Sequence, residues 1–230
     1  CEFELKPVDF SKHFTETRNA LREAYGNVVV LERGFKTAHP IAVIAHNNHG
    51  YLISVARKDT KSLDTEPWHQ FLTGDLDTRR YFEELLFRIS VLLANLHAAS
   101  IRHGDAQMKN FWVTPRGNVE AIDWEASIIH PEYPSGDQFL AAASNDLATF
   151  FKSLRGEDTQ ESPNGILTGS KKAIWHQFQE LVLQHYIKQA FINLVEQDNL
   201  SDEQILEILA TEGSGSQNLI NTLREITHSN

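Results

Sequence analysis

The stretch that decides the fold runs Ile101-Arg102-His103-Gly104-Asp105-Ala106-Gln107-Met108-Lys109-Asn110-Phe111-Trp112-Val113-Thr114-Pro115-Arg116-Gly117-Asn118-Val119-Glu120-Ala121-Ile122-Asp123-Trp124-Glu125-Ala126. Two short apolar runs stand in it, Phe111-Trp112-Val113 and Val119-Glu120-Ala121-Ile122. Pro115-Arg116-Gly117-Asn118 is turn chemistry, so the runs read as a hairpin. Upstream, Tyr81, Leu85, Ile89, Leu92, Leu93 and Leu96 recur near a 3.6-residue period, which predicts a buried helix over 78–99. That helix is expected to run down to His103-Gly104. Asp105 then falls in the following loop, Asn110 opens the hairpin and Asp123 closes it. The three should meet at one end of the small sheet.

Phosphoryl transfer uses such a set. It needs a carboxylate to position an attacking hydroxyl and accept its proton, and oxygen ligands for magnesium bridging the phosphates. Asp105 suits the first role; Asn110 and Asp123 suit the second. With its neighbours, this stretch resembles the catalytic and metal-binding loops of the protein-kinase-like superfamily. His103-Gly104-Asp105 followed by Asn110 resembles the form used by aminoglycoside phosphotransferases. Ile122-Asp123-Trp124-Glu125 resembles the form of choline-kinase-like enzymes. The resemblance implies an α+β, two-lobed fold with a small β-rich front lobe over 1–56 and a helical back lobe over 57–230. It implies ATP and Mg2+ as cofactors and a small-molecule hydroxyl as acceptor, on an amino sugar, a sugar or an amino alcohol. A compact atypical protein kinase and a nucleotide-binding module without catalysis are the alternatives.

Weaker likenesses extend from this core. Lys6 falls where the family places its phosphate-gripping lysine, and Glu23 where that lysine's carboxylate partner belongs, with Glu32 as a rival. Val55 and Arg57 lie where backbone groups would meet adenine. Asp146, in Asn145-Asp146-Leu147, resembles the helix-start aspartate that braces the catalytic loop, and His103 would shape that loop. The departures matter as much. Five residues ahead of Lys6 cannot hold the strands of a Gly-rich loop, so the front lobe reads as incomplete. Gln107 stands where protein kinases carry lysine, and Lys109 would substitute for it. About twenty residues separate Asp123 from Asp146, too few for the usual activation segment. That gap favours a small acceptor over a protein.

The rest of the chain is plainer. Residues 2–6 alternate like a strand. Residues 14–33 read as a helix with Leu21, Tyr25, Val28 and Leu31 as its apolar positions and Gly34 as its stop; Gly26 interrupts the pattern. Ile41–Ala45 and Tyr51–Ala56 read as a hairpin turning at 46–50, and 140–154 and 170–196 as helices. A further helical pair follows from Ser201. His46 and His49 lack the further ligands a metal site wants. Trp112 and Trp124 read as core, and His97 as a packed helix residue. Among acidic groups that might hold a cationic acceptor, Glu180, Glu196 and Asp198 stay undecided.

The net charge of −10 argues against a nucleic-acid surface. No apolar run is long enough to span a bilayer. The only cysteine, Cys1, permits no internal disulfide. It reads as the start of a trimmed chain, with a lipid-anchored cysteine as the rival. A reducing cytoplasm is the default expectation.

Overall fold

The computed structural model describes residues 3–5, 15–46, 49–55, 59–65, 75–131, 136–155 and 172–197. Lys6, Arg57, Asp198 and the helices expected from Ser201 lie outside them. In chain order the elements are β1 (Phe3–Leu5), α1 (Thr15–Glu32), β2 (Pro40–His46), β3 (His49–Val55), β4 (Lys61–Ser62), α2 (Leu76–Ala98), β5 (Ile101–Arg102), β6 (Phe111–Val113), β7 (Val119–Ala121), β8 (Ile128–Ile129), α3 (Gly136–Arg155) and α4 (Lys172–Gln197). Single 3-10 turns occupy Leu63–Thr65 and Met108–Asn110.

The strands form three small antiparallel sheets, ordered β1-β3-β2, β4-β6-β7 and β5-β8. The β2–β3 hairpin is tighter than the sequence suggests. His46 and His49, assigned to a turn, are paired across the ladder. No group of three or more His, Cys, Asp or Glu side chains placed to hold a metal forms there or elsewhere among the described residues.

The core joins three helices to the central hairpin. Leu85, Leu86, Ile89, Leu93 and Leu96 of α2 share one buried cluster with Leu147, Phe150 and Leu154 of α3 and Phe178, Val182 and Tyr186 of α4. Phe82 meets Phe178 edge to face, with ring centroids 4.6 Å apart. Each such side chain contributes about 1.5–3 kcal/mol by leaving water. Tyr81, expected on the buried stripe, is exposed.

Helix α2 starts where Asp75 caps it, accepting the Thr78 N–H at 2.9 Å. That hydrogen bond holds the Asp75 carboxyl below its ordinary range. The helix ends at Ala98, short of His103. Ser100 turns the chain with φ 58°, and Ile101 and Arg102 then pair with Ile129 and Ile128. A left-handed residue followed by a strand cannot continue a helix.

Helix α1 overturns its predicted face. Leu21, Tyr25 and Val28 are exposed, and Ala20, Gly26, Asn27 and Val30 are buried instead. The inward face is chosen by close approach, since a Cβ on Gly26 would lie 2.4 Å from the Cβ of Trp124. The helix closes as expected at Gly34. With φ 85° there, Gly34 N–H reaches Leu31 O and Phe35 N–H reaches Val30 O, a Schellman cap. Arg33 beside it donates to the carbonyls of Ala99 and His130. The end of α1 is thereby tied to the end of α2 and to the chain after β8.

Candidate active site

The β6–β7 hairpin brings the three predicted residues together. Phe111 pairs with Ala121, so Asn110 and Ile122 follow at the same end of the ladder. The Ile122 N–H donates to the Asn110 carbonyl at 2.9 Å, and Asp123 is next. Asn110 Nδ2 donates to both the Asp105 carbonyl (2.8 Å) and Asp105 Oδ2 (2.9 Å). Its Oδ1 has no hydrogen-bond partner among the described residues, and the amide's acceptor end points away from Asp105. The Asp123 carboxylate likewise has no hydrogen-bond partner among the described residues.

Gln107 lies directly against Asp105. Its Nε2 donates to Asp105 Oδ1 at 2.8 Å, while its own Oε1 is enclosed and unpaired. Two neutral amides therefore fix the two oxygens of Asp105, leaving further lone pairs for another donor. Lys109 faces the site through its charge. It and Arg22 of α1 pull on Glu125, whose carboxyl is nonetheless raised by burial and by the charges of Asp123 and Asp105.

Asp123 sits at φ 67°. For a non-glycine residue this backbone is uncommon and costs on the order of 1–3 kcal/mol, so its surroundings must enforce it. They do. On one side His103 Nε2–H donates to the Ile122 carbonyl at 2.9 Å. On the other, the Ser127 hydroxyl donates to the Trp124 carbonyl at 2.7 Å. The His103 and Trp124 rings lie 4.7 Å apart. Gly104 makes the crossing possible: with φ 83°, its absent Cβ would meet the Ala126 carbonyl oxygen at 2.2 Å.

Asp146 lies under the loop, in the body of α3 and not at its start. Its Oδ2 accepts the His103 N–H (2.7 Å) and its Oδ1 the Gly104 N–H (2.9 Å). His97 Nε2 adds a third bond at 3.0 Å, and His97 Nδ1 meets the Tyr186 hydroxyl at 2.7 Å. All three side chains are buried. Burial pushes the Asp146 carboxyl up, but the hydrogen bond and charge of His97, the charge of His103 and the Gly104 N–H together hold it low. Burial and the Asp146 charge push the Tyr186 phenol well above its usual value.

Glu23 is half-buried on α1, one turn before Asn27, which donates to its carbonyl at 2.9 Å. Glu32 lies exposed at the far end of the helix. Val55 spends its N–H on the His39 carbonyl at 2.9 Å; that donor is not available to adenine.

Sequence reasoning took His97 for a packed side chain and missed its bond to Tyr186. The signal for His97 was a polar residue on the buried stripe beside Leu93 and Leu96. It also passed over Asn27 and Thr37. Both are wholly buried, and Thr37 stands in a loop with no pattern to betray it.

No protein-family model matches the chain, and no curated protein matches it. Solved structures do match, 521 chains of them, so the arrangement is a recurrent fold. One is described as WaaP in complex with acyl carrier protein, at TM-score 0.53 and 13% identity. The alignment covers 90% of this chain and 76% of that one. The likeness is one of fold alone: mixed helix and strand with small sheets. Among the described residues, no helix is long and apolar enough to cross a membrane.

Proposed function

We infer that this chain is an ATP-dependent phosphotransferase that moves the γ-phosphoryl group to a hydroxyl of a small molecule. One observation carries the reading: Asp105, Asn110 and Asp123 gather at one end of the β6–β7 ladder, with Asn110 Oδ1 and the Asp123 carboxylate uncommitted. These are hard oxygen donors, the kind magnesium takes. No group of three or more His, Cys, Asp or Glu side chains forms a complete metal cage among the described residues. Two protein oxygens completed by phosphates and water are the usual arrangement for nucleotide-bound magnesium. When bound, the metal would neutralise charge on the phosphates.

The chain's own residues supply the rest. Asp105, its oxygens held by Gln107 and Asn110, aligns the acceptor hydroxyl and takes its proton. Lys6 grips the α/β phosphates and Glu23 steadies Lys6. Arg57 and the carbonyl of Val55 border the adenine. The front lobe spans 1–56 and the back lobe 57–230. An amino sugar, a sugar or an amino alcohol is the acceptor class. In support, only six residues lie between Ile129 and Gly136, leaving little chain for a peptide platform. The need for ATP fits a cytoplasmic enzyme.

The test is a thermal-shift titration with Mg·ATP. The wild-type chain should be stabilised only when magnesium is present, and Asp123→Ala should lose that shift. Asp105→Ala should keep the shift and lose turnover against a panel of aminoglycosides and choline-like alcohols. Normal turnover by Asp105→Ala, or an equal shift in Asp123→Ala, would overturn the assignment.

A further inference from the structure

A second buried polar network lies above the metal-ligand loop, and the mechanism as described does not use it. Trp124 Nε1–H donates to the Thr37 hydroxyl at 2.8 Å. Thr37 Oγ1 is in turn 2.8 Å from Asn27 Oδ1 and 2.8 Å from the Ala121 carbonyl. A hydroxyl has one proton, so these two acceptors share it. Asn27 is not free to rotate, because its Nδ2 is bonded to the Glu23 carbonyl. Asn27, Thr37 and Trp124 are each wholly buried.

The path has a direction. It begins at Glu23, passes through Asn27 and Thr37, and ends at Trp124, the residue after Asp123. Gly26 seats α1 directly on the Trp124 Cβ, and Arg33 fastens the same helix to Ala99 and His130. Helix α1 and the 122–127 loop are therefore joined at two points, both at Trp124. Among the described residues, no hydrogen bond of Asp123 itself holds its left-handed backbone; its neighbours do that.

We propose that Thr37 is a positioning residue, whose hydroxyl locks α1 to the metal-ligand loop so that Glu23 and Asp123 are held as one unit. Removing the hydroxyl leaves an indole N–H and an amide oxygen unpaired in the core, and buried polar groups in that state relax toward water. The loop and the helix then loosen together. The role of Asp123 as a metal ligand rests on the phosphotransferase reading; the mechanical coupling does not.

The experiment compares wild type with Thr37→Val, Thr37→Ser and Trp124→Phe. Backbone hydrogen exchange is followed in residues 19–31 and 122–127, and magnesium is titrated into nucleotide binding. Thr37→Val should speed exchange in both segments by about tenfold. It should also raise the magnesium needed for half-maximal nucleotide binding by about tenfold, leaving metal-free nucleotide affinity unchanged. Thr37→Ser, which keeps the hydroxyl, should restore both. Trp124→Phe deletes the same bond from the other side, and decides the matter if Thr37→Val does not fold. Exchange that rises in only one segment overturns the proposal, as does a magnesium requirement that stays at the wild-type level. If the wild-type chain shows no magnesium-dependent binding, the phosphotransferase reading fails, and the paired exchange alone decides the coupling.

Discussion

The loops carrying Asp105 and Asp123 are neighbours held by opposite chemistries. The Asp105 loop rests on a charge: Asp146, buried in α3, accepts two backbone N–H groups and the imidazole of His97. On its α1 side, the Asp123 loop hangs from neutral groups, an indole, a hydroxyl and an amide. Hydrogen bonds to a buried charge are individually stronger, and their loss leaves a costlier vacancy. Neutral networks are weaker per bond but indifferent to pH. The protein thus anchors one loop firmly to its helical core and links the other to α1 by a pH-independent tie.

The largest effect should come from breaking the charged anchor. Asp146→Asn keeps the shape but turns an acceptor into a donor beside His103, Gly104 and His97. It should destabilise the fold by about 3–5 kcal/mol, as expected when one partner of a buried charged network is lost. The pH dependence has a defined sign. Asp146 titrates below its ordinary value of 3.8 in the folded protein. Its contribution is complete above that ordinary value and disappears as pH falls through the lowered one. Denaturant melts of wild type and Asp146→Asn should therefore differ most near neutrality and converge in acid. A difference that is small at pH 7, or that persists unchanged into acid, breaks the contrast between the loops.

A middle-sized effect tests the neutral side by steric means. Alanine in place of glycine inside a helix normally stabilises by up to about 1 kcal/mol. At Gly26 the new methyl would lie 2.4 Å from Trp124 Cβ, so α1 must lift from the loop. Overpacking of this kind costs about 1–3 kcal/mol. Gly26→Ala should come out destabilised by about 1–2 kcal/mol net, to the same extent at pH 5 and pH 8. A stabilised variant would mean that α1 is not seated on Trp124.

How much of this could be read beforehand depended on whether the signal was local. Asp105, Asn110 and Asp123 are set by one hairpin, and short-range turn chemistry brings them together. The helices were legible from periodicity and Gly34 from its stop signal. The inward face of α1 was not. Leu21, Tyr25 and Val28 formed the apolar stripe, yet the buried side carries Gly26 and Asn27, residues chosen for close approach and hydrogen bonding. That preference is written in Trp124 and Thr37, distant in the chain, so no pattern within α1 could show it. The end of α2 was misjudged for a related reason. Ser100 adopts a left-handed turn usually left to glycine, and the pairing of β5 with β8 supplies the compensation. His97 looked like a core residue because it is one; its partners Asp146 and Tyr186 come from other helices.

The smallest effect separates the two ends of the lower network. Tyr186→Phe keeps the buried ring and removes only the hydroxyl that meets His97 Nδ1 at 2.7 Å. One neutral hydrogen bond and one stranded nitrogen amount to about 1–1.5 kcal/mol, or a fall of roughly 2–6 °C in Tm for a chain of this size. The Tyr186 phenol titrates well above 10 in the folded protein. Its contribution is therefore intact below the ordinary tyrosine value and fades as pH rises through the raised one. Wild type and Tyr186→Phe should keep a constant gap from pH 6 to pH 9 and draw together only in strong alkali, whereas wild type and Asp146→Asn draw together only in acid. One buried chain of three side chains would then show an acid-sensitive end and an alkali-sensitive end. A Tyr186→Phe penalty that changes between pH 6 and pH 9 would break that division of the network.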